Sequence, residues 1–488
     1  MKAAAIILAG LTLFGRTTAR GETPPDTVPV RIVFTVGYQQ HLFPRDPLTG
    51  RWMRGSLPYA ASYIRAHRAY APAGKFALIN CGENPALPCR LYPEDLTGRI
   101  RDFLKYDTAT VLRFGSLSIG FVELGNDPAI NRATVAAFRE KHPSDILTGL
   151  FPDPRTTLDA VLHTPGIQLA VTAFPSGPEG DAFRILNFRG DTLTVLNPGA
   201  GGDRIGVADF SLSGSFTVKT VDITRFSPDT ACMNRFAETE KAVRAWCHRL
   251  LTRFTAPLSA AESRFGPSAY ASLFHRFQRE VTGADISFFA PPRYDDSIPA
   301  GPFTFAELLR RFRYDERLAI VELTGAEIRN YLEYTTGQLY HRMLHAESDL
   351  LRLTYSPDGT VRFPAGHYRL DSADGLYYTI SLNRPYGHRV RVDSLKGGRE
   401  FDPKSRYRAA VPESRLRAGS LVRGSKIPPE ILPERVEGVF ETDYRLLLRE
   451  WLERRDSMAP ETDTTWRLLP AEWVEAARKR ELPRIVGR

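Results

Sequence analysis

Gly283-Ala-Asp-Ile-Ser-Phe288, then Ser297-Ile-Pro-Ala-Gly301, then Leu323-Thr-Gly-Ala-Glu-Ile-Arg-Asn-Tyr-Leu-Glu333 decide how this chain folds. The last stretch has a plain physical reading. Residues 318–323 are an apolar strand, and Thr324 stands where a helix N-cap is wanted. A threonine side chain there accepts from the first free backbone N–H groups of the helix. Ile328 and Leu332, four apart, then share the face that turns inward. A strand feeding a capped helix is expected, set among β-hairpin signals and a closing helix over 443–454.

Towards the N-terminus the pattern changes. Residues 28–35 (VPVRIVFT) alternate as a strand, 57–71 carry apolar residues at helical spacing, and 76–80 (FALIN) read as a buried strand. Residues 96–105 read as helix and 108–114 as extended chain. Strand and helix in alternation argue for an α/β layered domain. Between 185 and 224 short strands with turn clusters form a β-rich tail. Phe236, Val243, Trp246, Leu250 and Phe254 recur at helical steps, which predicts one connecting helix over 236–254. No repeat of fixed period is visible.

Composition narrows the function classes. The 488 residues are 42% hydrophobic and 25% charged, an ordinary globular balance. Net charge is +9, from 55 Arg and 10 Lys against 56 acids, but the basic residues are interleaved with acidic ones. A nucleic-acid footprint needs clustering, so no nucleic-acid partner is expected. After Lys2 comes the apolar run Ala3-Ala-Ala-Ile-Ile-Leu-Ala-Gly-Leu-Thr-Leu-Phe14, then Gly-Arg-Thr-Thr-Ala19. A positive start, a short apolar core and a small-residue exit read as a signal peptide over 1–19, hence a secreted or periplasmic protein. No apolar run of transmembrane length follows, so no transmembrane span is expected. Export permits disulfides. Cys81 and Cys89 are close enough in sequence to pair, whereas Cys232 and Cys247 stand at the ends of a helical stretch. Fifteen residues of helix span ~22 Å, beyond the ~7 Å between Cα atoms that a disulfide bridges.

With Gly301, Thr304 and the later Tyr377-Tyr-Thr-Ile-Ser-Leu…Pro385-Tyr-Gly387, the opening motifs resemble the C-terminal, substrate-binding domain of the 5′-nucleotidase family, loosely over 259–422. The resemblance implies a four-layered α/β sandwich of the calcineurin-like metallophosphoesterase type over 28–225, a linker helix over 226–258 and an α+β C-terminal domain over 259–488. In that family a pair of divalent ions, zinc or manganese, clamps phosphate oxygens within a cage of Asp, His and Asn. Here the matching positions are replaced. Gly37 and Gln39 stand in the first motif, while His41 falls where the family has no ligand. Glu83, in Cys81-Gly-Glu-Asn84, keeps a carboxylate and is the one remaining candidate metal ligand. Arg113 replaces an Asn ligand and Phe114 the catalytic His. Gly149 ends the fourth motif without its His, and Phe174 and Ser176 take both His positions of the fifth. The resemblance therefore implies a scaffold without the dinuclear site, and no cofactor is expected.

The ligand pocket has also drifted. Asp295 occupies the family's Arg position, with Arg293 two residues away either compensating or standing as a surface arginine. Of two rings that sandwich the base in the family, at ~1–3 kcal/mol per stacked base, the first aligns with Tyr368 and the second with Ser414. The acidic residue beyond aligns with Ser420. Tyr368 reads either as that stacking ring or as a core or edge tyrosine. Other patterns are weaker. Gly199-Ala-Gly-Gly-Asp-Arg-Ile-Gly206 lacks the helix a dinucleotide loop needs. His341 and His345 fall on an expected helix without a third ligand, Ser263 has no nucleophile context, and Arg478-Lys-Arg480 read as a frayed terminus. The expected function is an exported family member, impaired in catalysis, that binds a nucleotide or nucleoside or partners an active paralogue. One alternative is an active hydrolase with a metal site rebuilt from Glu83 with Asp107, His163 or Asp181. Another is a structural or interaction protein of the cell envelope.

Overall fold

In the computed structural model the alternating run becomes strand β1 (Val30–Val36), whose two faces separate two layers of packing. The structure describes residues 29–36, 43–72, 74–81, 110–153, 156–174, 182–199, 201–355, 357, 361–363, 370–416 and 433–486. They divide into two units, Met1–Arg244 and Ala245–Arg488.

The first unit continues with α1 (Leu57–Tyr70), β2 (Phe76–Cys81), β3 (Val111–Phe114), β4 (Leu117–Glu123) and α2 (Pro128–Lys141). Then come β5 (Ile146–Phe151), α3 (Leu158–Leu162), β6 (Leu169–Thr172), β7 (Ala182–Leu186), β8 (Thr192–Leu196), β9 (Arg204–Phe210) and β10 (Phe216–Asp222). One sheet has the order β10-β9-β1-β2 and the other β3-β4-β5-β6-β8-β7. The period of two along each strand decides what faces what. Val30, Ile32, Phe34 and Val36 of β1 join Ile119, Phe121, Ile146 and Leu150 of the other sheet in one apolar cluster. Leu147, Phe151, Ala170 and Val195, on the opposite face of that second sheet, pack with Val135 of α2 and Val161 of α3. On the outer face of the first sheet Arg31 pairs with Asp209 at 2.7 Å, and Arg68 of α1 lies over the Phe76 ring. The order is helix, sheet, sheet, helix: the expected four-layered sandwich.

The helices start where local chemistry directs. Asp127 accepts from the N–H groups of Ala129 and Ile130 ahead of α2, and Thr157 from Ala160 ahead of α3. The connecting helix α4 (Thr230–Cys247) differs from expectation. It stops at Cys247, and Leu250–Phe254 is a strand, β11, antiparallel to Gly301–Thr304. Apolar residues at helical steps run on into β11, but ladder partners some fifty residues downstream set its backbone. Cys232 and Cys247 lie far apart on α4, as the helix length requires. Cys81 is a buried, free thiol that donates to the Val171 carbonyl. It is therefore not bonded to Cys89, which lies outside the described residues, as do 1–28 and the expected helix over 96–105.

The second unit follows with β12 (Leu258–Ser259), α5 (Ala269–Thr282), β13 (Ile286–Phe289), β14 (Ser297–Ile298), β15 (Gly301–Thr304), α6 (Phe305–Arg311), β16 (Arg317–Thr324) and α7 (Gly325–Leu339). Beyond these run β17 (Thr354–Tyr355), β18 (Val361–Arg362), β19 (Ser372–Asp374), β20 (Leu376–Ser381), β21 (Val390–Leu395) and β22 (Arg406–Pro412). The chain closes with β23 (Val436–Asp443), α8 (Tyr444–Glu453), β24 (Trp466–Leu469) and α9 (Ala471–Val486). A five-stranded sheet, β19-β13-β22-β16-β23, and a three-stranded one, β21-β20-β24, share one core with α7. Ile328 and Leu332 are buried in it, as their spacing predicts.

The motif residues have backbone duties. Gly283 sits at φ 63°, the left-handed cap of α5, and donates to the Arg279 carbonyl; glycine takes that conformation without a Cβ clash. Thr324 accepts from the Glu327 N–H, and the Glu327 carboxylate accepts from the Thr324 N–H, a complete capping box. Arg435 holds the same carboxylate. Gly325 lies under the 402–403 loop, where a Cβ would come within 2.5 Å of the Asp402 carbonyl oxygen and 2.9 Å of the Pro403 Cα.

Candidate functional site

β13 emerges from the Gly283 cap and delivers the chain to the loop at 290–296, where the ligand arginine was expected. Arg293 is there, but it makes a bidentate pair with Asp295, Nε to Oδ1 at 3.0 Å and Nη2 to Oδ2 at 2.7 Å. Both side chains are about half exposed, and the Asp295 carboxylate raises the Arg293 pKa further above its ordinary value. The two expected ligand-binding residues thus engage each other. The next residue, Asp296, turns inward. It accepts from the buried Tyr270 hydroxyl at 2.7 Å and pairs with Arg311 at 3.2 Å.

Behind the loop Tyr294 packs on Phe363 with ring centroids 4.5 Å apart and donates to the Val361 carbonyl. Tyr368 lies outside the described residues, so its role as a stacking ring is not placed. Ser414, aligned with the second ring, has its N–H bound to Glu316 and its hydroxyl accepting from Arg415. That leads to a buried polar network. Asp371, at the entrance to β19, accepts from Arg415 Nε at 2.9 Å, from Arg415 Nη2 at 2.8 Å and from the Tyr331 hydroxyl at 2.5 Å. Arg415 is 5% exposed and Asp371 3%. Next to them a cavity of about 30 Å³ is lined by Arg264, Phe289, Thr335, Asp371 and Ser372 among others. His275 spans two hydroxyls at its edge, Nδ1 to Ser287 at 2.9 Å and Nε2 to Ser372 at 3.1 Å. Burial pushes the His275 pKa down, so the ring is neutral.

Sequence reasoning passed over Arg264, Asp371, Arg415 and Glu333. Glu333, the end of the quoted motif, is a buried carboxylate that accepts from the N–H groups of Gly387, Arg389 and Val390. It pins the Pro385-Tyr-Gly387 turn to α7, which explains why these two segments travel together. Arg264 sits in the mixed stretch Leu258-Ser-Ala-Ala-Glu-Ser-Arg-Phe265, with no spacing signal to mark it.

In the first unit most of the described family positions are taken up by packing. Gly149 is in the middle of β5. A Cβ there would meet Leu124 Cδ1 at 2.9 Å and Ile167 Cδ1 at 3.0 Å, so its outlook is the helix layer. Phe174, just beyond β6, packs into the same helix-side cluster. Arg113 is exposed on the edge strand β3, and Phe114, beside it, packs against the inter-sheet core. Rings, a glycine and a guanidinium supply no lone pair to a cation, so these positions do not fit a metal pair. Gly37, Gln39, His41, Glu83, Asp107, Ser176, Asp181 and Ser420 lie outside the described residues. His163 is partly exposed, with Nδ1 2.9 Å from the Asp159 carbonyl oxygen and its ring stacked on Phe188.

The weaker patterns resolve structurally. Between β8 and β9 the described residues of 199–206 include no helix. His341 and His345 are not on a helix: α7 ends at Leu339, where Tyr340 turns to bridge Leu351. The Ser263 hydroxyl donates to the Ala260 carbonyl. Arg478-Lys-Arg480 is no frayed end. It lies within α9, with Arg478 bidentate on Glu262 and Arg480 donating to the Ser348 carbonyl. Apolar Val474, Ala477 and Ile485 bury that helix against the core.

Comparison with known proteins places this geometry. Residues 250–421 match the model of the 5′-nucleotidase C-terminal domain, beginning at β11 and so nine residues before the boundary expected from the motifs. A 188-residue segment is 21% identical to the trifunctional nucleotide phosphoesterase protein YfkN of Bacillus subtilis, covering 36% of this chain and 12% of that protein. The same length is 21% identical to the 2′,3′-cyclic-nucleotide 2′-phosphodiesterase/3′-nucleotidase of Salmonella typhimurium, covering 27% of it. The chain thus matches only a minor part of these curated relatives. A crystal structure of a putative 5′-nucleotidase from Staphylococcus aureus is similar over 90% of this chain and 99% of that one, at TM-score 0.58 and 15% identity. At that identity the likeness establishes the fold. The family points to 5′-nucleotidase-type phosphoesterases. No described helix is long and apolar enough to cross a membrane.

Proposed function

With its residues 250–421 a 5′-nucleotidase C-terminal domain, we propose that this chain is an exported protein of the 5′-nucleotidase type whose first unit does not assemble the paired-metal centre. What remains is binding of a nucleotide or nucleoside by the second unit. The observation that carries this reading is the packing at Gly149. A histidine in its place would have to displace the Leu124 and Ile167 side chains, whose Cδ1 atoms stand 2.9 and 3.0 Å from where its Cβ would fall. Phe174 and Phe114 support the reading in the same way, since both rings belong to apolar clusters. Export is supported by Lys2 and the apolar stretch after it. Fold alone does not carry activity, and the residues at these positions argue against it.

The test is phosphate release from nucleoside monophosphates and 2′,3′-cyclic nucleotides by the purified chain, with Mn²⁺ or Zn²⁺ added and metal content measured alongside. Release no faster than the metal-free control is the expected result. Turnover on the order of 1 s⁻¹ or more, ordinary for enzymes, would refute it and require a metal site built from other residues. Binding is read separately. A nucleotide at a hundred times its Kd adds ~2.7 kcal/mol of stability, and Tyr368→Ala removes that gain if Tyr368 stacks the base.

A further inference from the structure

Behind the C-terminal end of α7 the second unit gathers three arginines from separate segments. Arg352 Nε and Arg389 Nη1 donate to one oxygen, the Tyr340 carbonyl, each at 3.1 Å. Arg389 Nε donates to the Arg384 carbonyl at 3.2 Å, and Arg342 Nε to the Asn383 carbonyl at 3.0 Å. Their acceptors among the described residues are thus backbone carbonyls, which carry no net charge. Arg342 and Arg352 are exposed, so their outer nitrogens face water. Arg389 is 3% exposed, yet its Nη2, which has no acceptor among the described residues, is not sealed from solvent.

The described acids nearby do not offset this charge. Glu333 acts on Arg389, and Arg352 and Arg342 act on it with the opposite sign. Both Glu333 oxygens are already taken, Oε1 by the Gly387 N–H at 2.6 Å and Oε2 by those of Arg389 at 3.0 Å and Val390 at 2.8 Å. Asp349 acts on His341, Glu347 pairs with His345 at 3.1 Å, and the buried Glu481 is drawn to Arg480. Burial, Arg352 and Arg389 lower the His341 pKa, so that ring is neutral at neutral pH. Even with Asp349 counted beside Glu333, three guanidinium groups against two carboxylates leave +1. Next to Arg389 the Tyr386 ring lies directly on α7, where a Cβ at Gly337 would stand 2.4 Å from Tyr386 Cε2. That ring is 51% exposed.

We infer that Arg342, Arg352 and Arg389 form a binding site for a tetrahedral oxyanion of the phosphate type, either the free ion or the phosphate group of an ester. A guanidinium presents its N–H groups as a planar fork that matches phosphate oxygens. A carboxylate has two oxygens in one plane, whereas three separate forks suit the several oxygens of a tetrahedral ion. The site lies apart from the 290–296 loop and from Tyr368, and does not rest on the function proposed above.

The experiment is phosphorus NMR of inorganic phosphate titrated against the full, metal-free chain at neutral pH and constant ionic strength. Line broadening that saturates is expected. Arg352→Gln and Arg342→Gln should each weaken binding ~10-fold, the loss of a hydrogen bond to a charged group. Arg391→Gln, exposed on β21 and paired with Asp393, should leave it unchanged. No saturable broadening would overturn the assignment, as would equal affinity in Arg352→Gln and Arg342→Gln, or the same loss in Arg391→Gln. Phenyl phosphate identifies the source of the ion. Tighter binding than inorganic phosphate, abolished in Tyr386→Ala, assigns the site to an ester lying over that ring, and otherwise the free ion is the ligand. A crystal of the unaltered protein soaked in tungstate gives a check that needs no variant. An anomalous peak within hydrogen-bond reach of Arg389 and Arg352 supports the site, and tungstate found only elsewhere refutes it.

Discussion

The buried Arg264–Asp371–Arg415 cluster of the second unit predicts an asymmetry between two substitutions that would otherwise look equivalent. Asp371→Asn and Arg415→Met each break the same bidentate pair. Breaking a buried pair by removing one partner costs ~3–5 kcal/mol, because the other charge is left uncompensated. For Asp371→Asn the full penalty applies at Arg264, which stays buried and has no other acid acting on it, while Arg415 keeps only the more distant Glu316. For Arg415→Met, Asp371 keeps the Tyr331 hydroxyl and the attraction of Arg264. What is lost is then nearer to charged hydrogen bonds alone, ~1.5–3 kcal/mol. A gap of about 2 kcal/mol corresponds to a ratio of roughly 30 in the unfolding constant. Urea unfolding followed by tryptophan fluorescence measures it, because Trp246, Trp451, Trp466 and Trp473 belong to the second unit and only Trp52 to the first. Slopes must agree between variants for the midpoints to be read as stability. If Arg415→Met costs as much as Asp371→Asn, or more, then Arg264 does not compensate the Asp371 charge.

Gly325→Ala should destabilise the second unit by ~1–3 kcal/mol, the usual cost of forcing atoms into a filled site, because the obstacle is the backbone at Asp402 and Pro403; a urea midpoint unchanged from the parent would show that this loop yields. His275 predicts a pH dependence. Its folded pKa is lowered by burial and further by Arg279, against the opposing pull of Asp374 and Asp371, so the unfolded chain takes up the proton first as pH falls. Stability of the second unit should therefore drop below pH ~6.5, by at most about 1.4 kcal/mol per pH unit for this group, and level off below the folded pKa. His275→Gln should flatten that slope in denaturant titrations between pH 7 and 5, leaving the share of His341, which is also lowered by burial; an unchanged slope would show that the imidazole is not held neutral.

What the sequence made legible was what acts locally. The Thr324 N-cap and the inward face of Ile328 and Leu332 each depend on neighbours within a turn or two. The α/β layering of the first unit followed from the alternation of strand and helix, beginning with Val30–Val36, while its four layers were implied by the family resemblance. Misreadings arose where a distant partner decides. Leu250–Phe254 continues a helical spacing and becomes a strand because Gly301–Thr304 lies beside it. Arg478 looked frayed because its partner Glu262 is 216 residues away in the chain. Arg264 shows the limit most clearly. An arginine in such a mixed stretch gives no local sign of burial, since the long stem and charged head usually reach water. Only the closing of β19, α7 and the 413–415 turn around it shows that its charge has been trapped beside one carboxylate already in use. The same reasoning bears on the first unit. Substitutions at Gly149 and Phe174 read in sequence as lost ligands, and in the fold as gained packing. A position that has entered an apolar cluster is held there by what surrounds it. Restoring one histidine would therefore break the packing long before it rebuilt a metal cage.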